Sequence, residues 1–300
     1  MSLGTVQLGM NYGIANNSGQ PDEEKSFSML RAALENGVTS LDTARVYGNA
    51  EDVLGRFFDQ YKGNIPFLTT KIPKIHGESQ ADIEKEVIAS VESSLEHLHV
   101  PRVNCVMLHV AEDLYVHGPK TAKAMESLLK RGYADRIGAS VYTAEDLNIM
   151  LESDVYTATQ IPMSIFDERL IHNGMVERLR QKGIITFVRS VFLQGLFFLE
   201  PDAMTDPILL EHAAPRIRKL RELAEQEGIS VAALAIAFIR DIPGITSLVL
   251  GADTPEQVLD NIRYFDTPPL SESTRHVIEK TFRDVNIPEI MKVLSRPKTK

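Results

Sequence analysis

Three hundred residues, 43% hydrophobic and 24% charged, can bury a large core and have the make-up of a soluble globular protein. The net charge of −9, from 41 acidic and 32 basic side chains, leaves no footprint for nucleic acid or an anionic membrane, though one local basic pocket could still take an anion. Cys105 is the only cysteine, which excludes an internal disulfide and a cysteine-based metal cluster and fits a reducing compartment. The N-terminus has no basic region followed by an apolar run and cleavage site, and no apolar run reaches the ~18 residues of a membrane span. The expectation is cytoplasmic.

In chain order, the opening LGTVQLG reads as a first strand, followed by an acid-led helix over 22–37 that stops near Asn36 or Gly37. TSLD at 39–42 is a second strand, and after Tyr47 and Gly48 the chain turns into a helix. FLTTK at 67–71 is followed by a helix over 80–98 that sets Ile83, Val87, Val91, Leu95 and Leu98 on one face. NCVMLH at 104–109 precedes a helix over 118–132, with Pro119 at its first turn and Gly132 at its end. RIGAS at 136–140 leads to a Thr143-capped helix over 143–151, and TATQ at 157–160 to a helix over 167–183 weakened at Gly174. IITFVRS at 184–190 is followed by helices at 212–228 and 230–239. TSLVLG at 246–251 is followed by a helix at 254–265 with a Thr254 cap and Pro255 at the first helical position.

The apolar runs are short and continuous, as in strands buried on both faces of a parallel sheet. Strand then helix recurs about eight times, without a linker or composition break. The expected fold is a single α/β domain over 1–300, a (β/α)8 TIM barrel, with a C-terminal tail from about 283; a doubly wound sheet is the second choice. Chemistry in a barrel belongs at the C-terminal strand ends. Those are Asp42, Lys71, His109, Ser140, Gln160 and Ser190.

Each has an ordinary reading: a turn cap for Asp42, a solvent-reaching amine for Lys71, a core imidazole for His109, packing for Tyr47. Together they describe one chemistry. A phenol, with pKa near ~10, becomes a useful proton donor only beside a cation that favours its ionised form. Lys71 supplies that cation and is expected to lower the phenol pKa, Asp42 holds Lys71, and His109 orients a carbonyl oxygen. Hydride arriving at the carbonyl carbon leaves charge on that oxygen, which the phenol stabilises and protonates.

DTARVYGNAEDVLG at 42–55, TTKIP at 69–73 and NCVMLH at 104–109 resemble the aldo-keto reductase superfamily over nearly the whole chain, ending with the TPEQVLDN helix. The resemblance implies catalytic roles for Asp42, Tyr47, Lys71 and His109, and a nicotinamide cofactor bound without a Rossmann fingerprint. GxGxxG is indeed lacking. It further implies that Ser140 and Gln160 hold the carboxamide, Gln160 otherwise capping its own loop. Ser190 with the backbone from Leu193 to Leu196, including Gly195, looks like a pyrophosphate clamp. Asp260 and Asn261 match positions that touch adenine.

Two departures bear on the cofactor. Val141 follows Ser140 where many relatives have asparagine. Arg189 stands where many stack an aromatic ring on nicotinamide; it can stack, bind an anionic substrate, or pair with an acid behind the cofactor. Gly251 and Gln257 occupy positions where NADPH-preferring relatives carry basic residues, so strict NADPH preference is not expected. NADP(H) is placed first on family habit, NAD(H) second. The partner is a small carbonyl or alcohol compound; the loop at 110–119 with Leu114 and Tyr115, residues 161–168 and the tail are candidate pocket walls. The competing reading is a noncatalytic nicotinamide-binding or regulatory barrel. A hydrolase or lyase reading lacks a convincing metal cluster, so no metal ligand is assigned. The oligomeric state is not legible.

Overall fold

The computed structural model describes residues 1–16 and 18–296. Eight strands pair in parallel, in sequence order, and close on themselves: β1 (Ser2–Gly4), β2 (Ser40–Asp42), β3 (Phe67–Ile72), β4 (Val103–Leu108), β5 (Ala134–Ser140), β6 (Ala158–Pro162), β7 (Ile185–Arg189) and β8 (Ser247–Leu250). With helices between the strands this is the (β/α)8 barrel, and the doubly wound alternative falls away. Cys105, Met107, Ala158 and Phe187 fill one buried cluster. The larger apolar layer lies between strands and helices, with Leu41, Val106, Ile137 and Val188 at most 1% exposed against residues such as Phe57, Leu128 and Ile236. Burial on both faces explains why the strands read as unbroken apolar runs rather than alternating ones.

The expected helix caps form. Thr143 and Asp146 make a reciprocal capping box, and the Thr254 side chain accepts from the Gln257 N–H ahead of helix Pro255–Phe265. Three expectations change. The opening strand ends at Gly4, and Val6–Gly9 forms a helical turn instead. The 167–183 helix divides into Arg169–His172 and Met175–Gln181, broken at Gly174 in the left-handed region. The C-terminal stretch holds an unforeseen helix, Glu272–Phe282, and then Ile287–Leu294. Thr274, Ile278 and Phe282 of the former are buried at steps of four, a readable signal. Residues 297–300, the basic end of the expected tail, lie outside the described residues. Among the described residues no helix is long and apolar enough to cross a membrane.

Candidate active site

Strand register sets the site. Asp42 is the last residue of β2 and aligns with Thr69, so Lys71 projects from one pleat further along β3. After Asp42 the chain stays bonded to β3: the Thr43 N–H donates to the Thr69 carbonyl at 2.8 Å and the Arg45 N–H to that of Lys71 at 3.1 Å. It then turns through Tyr47, whose N–H donates to the Ala44 carbonyl and whose carbonyl accepts from Ala50. Helix Ala50–Gln60 begins there with Glu51 and Asp52 in its first turn, where acids complement the helix dipole. This excursion brings the phenol back toward Lys71, whose Nζ lies 5.2 Å from the Tyr47 ring centroid.

Lys71 is fully buried and Asp42 is 3% exposed. Lys71 Nζ donates to Asp42 Oδ1 at 2.6 Å and to the Thr43 carbonyl at 2.9 Å, beside the Tyr47 ring. Burial opposes the ammonium charge, but Asp42 and then Tyr47 overcome it, so the lysine pKa rises. Gln160 Nε2 donates to the other carboxylate oxygen, Asp42 Oδ2, at 2.7 Å. Gln160 thus braces Asp42 rather than its own loop.

The Tyr47 pKa is raised, not lowered as the sequence suggested. Burial is the largest cause; Lys71 pulls the value down as expected but is outweighed. The His109 ring meets Tyr47 edge-on at 5.6 Å. Burial, then Lys71 and Arg189, lower the imidazole to about 4. His109 is therefore neutral at pH 7, and its buried Nδ1 lacks a partner among the described residues.

These groups stand at one end of a cavity of about 770 Å³, within the range of small-molecule and cofactor sites. Ser140, Gln160, Arg189, Ser190, Gly195, Gly251, Gln257, Asp260 and Asn261 all line it; Leu193 does not, its side chain being buried in the core. Arg189 stacks on Tyr142, its guanidinium carbon 4.3 Å from the ring centroid. It also reaches Ser140 Oγ, Ser190 Oγ and the Val141 carbonyl at 3.3–3.4 Å. Of the three readings open to Arg189, an acid partner is not found among the described residues, and the guanidinium stacks on an aromatic ring of the protein instead. Ser190, Leu193 and Gln194 hold positive φ without being glycine, each costing ~1 kcal/mol or more, a concentration of strain typical of functional loops. At Gly195, with φ 92, a Cβ would meet Ala15 Cβ at 2.8 Å, so glycine lets the 190–195 loop close on the loop after β1.

At the far end, side chains implied to contact cofactor spend hydrogen bonds on the turn after β8. Gln257 Oε1 accepts from the Asp253 N–H at 2.7 Å, and Asn261 Nδ2 donates to the Gly251 carbonyl at 3.1 Å. Leu114 is buried in the core and Tyr115 is exposed, so both flank the site rather than line it; residues 161–168 and the C-terminal helices are likewise not in the wall. Sequence reasoning missed Gln7, Tyr12 and Asn16 after β1, Tyr142 after β5, Phe192 and Phe198 after β7, and Asp253. The NYG at 11–13 and the Tyr after Val141 were the only available signals.

A model of the aldo/keto reductase family matches residues 1–281. The chain belongs to the aldo/keto reductase family. It is 26% identical over 262 residues to the aldo-keto reductase YhdN of Bacillus subtilis, covering 80% of this chain and 78% of that one. It is 23% identical over 313 aligned positions to the L-glyceraldehyde 3-phosphate reductase of Escherichia coli, covering 90% and 89%. The glycerol dehydrogenase of Gluconobacter oxydans shares the fold with a TM-score of 0.76 at 21% identity, covering 95% of this chain and 91% of that one. Aldo/keto reductases are typically NAD(P)H-dependent oxidoreductases of carbonyl compounds.

Proposed function

We propose that this aldo/keto reductase reduces the carbonyl group of a small aldehyde, ketone or sugar with a nicotinamide cofactor, and that Tyr47 is the proton donor. The observation that carries this reading is the buried chain Gln160–Asp42–Lys71–Tyr47 facing His109 at the cavity end. The cavity fits an extended cofactor. Its catalytic end holds an unpartnered imidazole nitrogen, His109 Nδ1, and its long wall runs to the turn after β8. Ser140 and the Gln160 carbonyl oxygen would hold the carboxamide, the 190–195 backbone the pyrophosphate. A nicotinamide bound there would supply the hydride.

The protein's own groups do the rest. Neutral His109 donates one N–H to the substrate oxygen without carrying a charge that would compete for it. The Tyr47 hydroxyl donates to the same oxygen and gives up its proton as negative charge develops there; Lys71, held charged by Asp42, stabilises the tyrosinate left behind. Tyr47→Phe keeps the ring and its packing but removes the proton. It should lower kcat by roughly 10²–10⁴-fold while leaving cofactor affinity within a few-fold. Wild-type turnover in folded, cofactor-saturated Tyr47→Phe protein would sink the acid role.

A further inference from the structure

The inference concerns which nicotinamide dinucleotide the cavity accepts, and it rests on the reading of that cavity as a dinucleotide site. The reacting groups occupy one end, so the non-reacting end of a dinucleotide falls at the other. There the wall is the turn after β8 and the start of helix Pro255–Phe265. Asp253 and Asp260 line this end, with Gly251 and Gln257. Arg189 is the one lysine or arginine lining the whole cavity among the described residues, and it sits at the catalytic end against Tyr142 and Ser140.

Gly251 presents no side chain to this end, and the Gln7 amide fills the space a Cβ there would enter, 2.4 Å from Nε2. Gln257 is engaged with the Asp253 N–H at 2.7 Å. Arg263 is drawn onto Asp260, lies outside the cavity wall, and its side chain is 73% exposed. Asp253 is fixed from both sides of the cavity: Asn16 Nδ2, from the loop after β1, donates to its Oδ1 at 3.1 Å.

A ribose 2′-hydroxyl is a donor in search of an acceptor. A 2′-phosphate carries nearly two negative charges and seeks cations. An ionised carboxylate accepts only, so it matches the hydroxyl and repels the phosphate, as an acid at the ribose does in other dinucleotide sites. We propose that Asp253 selects the non-phosphorylated dinucleotide, making this protein an NAD(H)-preferring member of its family. This reverses the order in which the sequence placed the two cofactors.

Fluorescence titration of the full-length protein with NADH and with NADPH tests this directly, in wild type, Asp253→Ser and Asp253→Asn. Wild type should bind NADH roughly tenfold or more tightly than NADPH, the ratio one unfavourable charge contact produces even at water-like dielectric. Both variants should shift the ratio toward NADPH by about tenfold. A ratio measured within one preparation is insensitive to any unfolded fraction, so a poorly folding variant does not obscure the result. Tighter NADPH binding in wild type, or an unchanged ratio in both variants, overturns the selectivity while leaving carbonyl reduction intact. Loss of NADPH affinity in Arg263→Ala would reveal a phosphate-binding cation and overturn it too. Binding of neither nucleotide would defeat the dinucleotide site itself, and the selectivity with it.

Discussion

His109 and Tyr47 show how far residue identity alone carries and where burial takes over. The clustering of Asp42, Tyr47, Lys71 and His109 was legible because three of them lie within one residue of a strand end and the fourth follows Asp42 by five positions. The protonation states were not legible, because they depend on how much water the closed barrel end excludes. Burial drives the imidazole down to about 4, so it loses its charge well below neutrality; burial drives the phenol up, so it keeps its proton through neutrality. Carbonyl reduction needs both forms, a neutral donor and a protonated acid. The kcat for reduction should therefore show no inflection near pH 6.5 and should fall on the acid side only toward about pH 4. The stability sign follows from the same shift. Between about 4 and 6.5 the unfolded chain binds more protons at His109 than the folded one, so this group's contribution to stability is lost as pH falls through that window. A kcat inflection between pH 6 and 7 that disappears in His109→Gln would show a titrating imidazole and refute the assignment.

At the scale of elements, the strands and most helices were readable because a parallel barrel imposes continuous apolar runs and capped helices. The first turn of the chain was not, because its conformation is set by contact with Tyr47 and Gly48, far along the sequence. Gly9 in Val6–Gly9 packs against the Tyr47–Gly48 turn: a Cβ on Gly9 would lie 1.7 Å from the Tyr47 carbonyl oxygen. Gly48, at φ 56, returns the contact, since its Cβ would lie 2.1 Å from the Gly9 carbonyl oxygen. The obstacles are backbone atoms, which cannot swing aside as a side-chain end can. LGTVQLG alternates like a strand, but only two facing glycines let the chain turn over the start of helix Ala50–Gln60 and hold the Tyr47 backbone in place. Gly9→Ala should force these segments apart, costing about 1–3 kcal/mol of stability. It should also lower kcat more than cofactor affinity, because it displaces the phenol rather than the distant turn after β8. Thermal unfolding combined with cofactor titration checks both halves. A substituted protein of unchanged melting temperature and kcat would show that the close approach is dispensable.

For the whole molecule, the unforeseen helix Glu272–Phe282 is where the barrel and the C-terminal region meet, and an acid is trapped at that junction. Glu168, in the turn after β6, is 6% exposed, and its Oε1 has no hydrogen-bond partner among the described residues. Its surroundings are mostly unfavourable to charge. Burial, then Glu279 of that helix and the neighbouring Asp167, raise its carboxyl to about 7; Arg283 at the helix end opposes them, and His172 Nε2 lies 3.9 Å from Oε2. A carboxyl whose folded pKa is raised holds a proton that the unfolded chain releases at lower pH. Folding is therefore helped below the unfolded value of 4.5, and the help is lost as pH rises from there through about 7. Glu168→Gln keeps the shape and removes the titration. The variant should match wild type near pH 4.5, then gain on it with rising pH, reaching about 1–3 kcal/mol at pH 8, a shift of several degrees in Tm. The difference between two melting curves recorded across that range isolates this group, because every other titrating side chain is common to both proteins. A Tm gap that is the same at pH 5 and pH 8 would mean that Glu168 is not the buried acid coupling the β6 turn to the C-terminal helix.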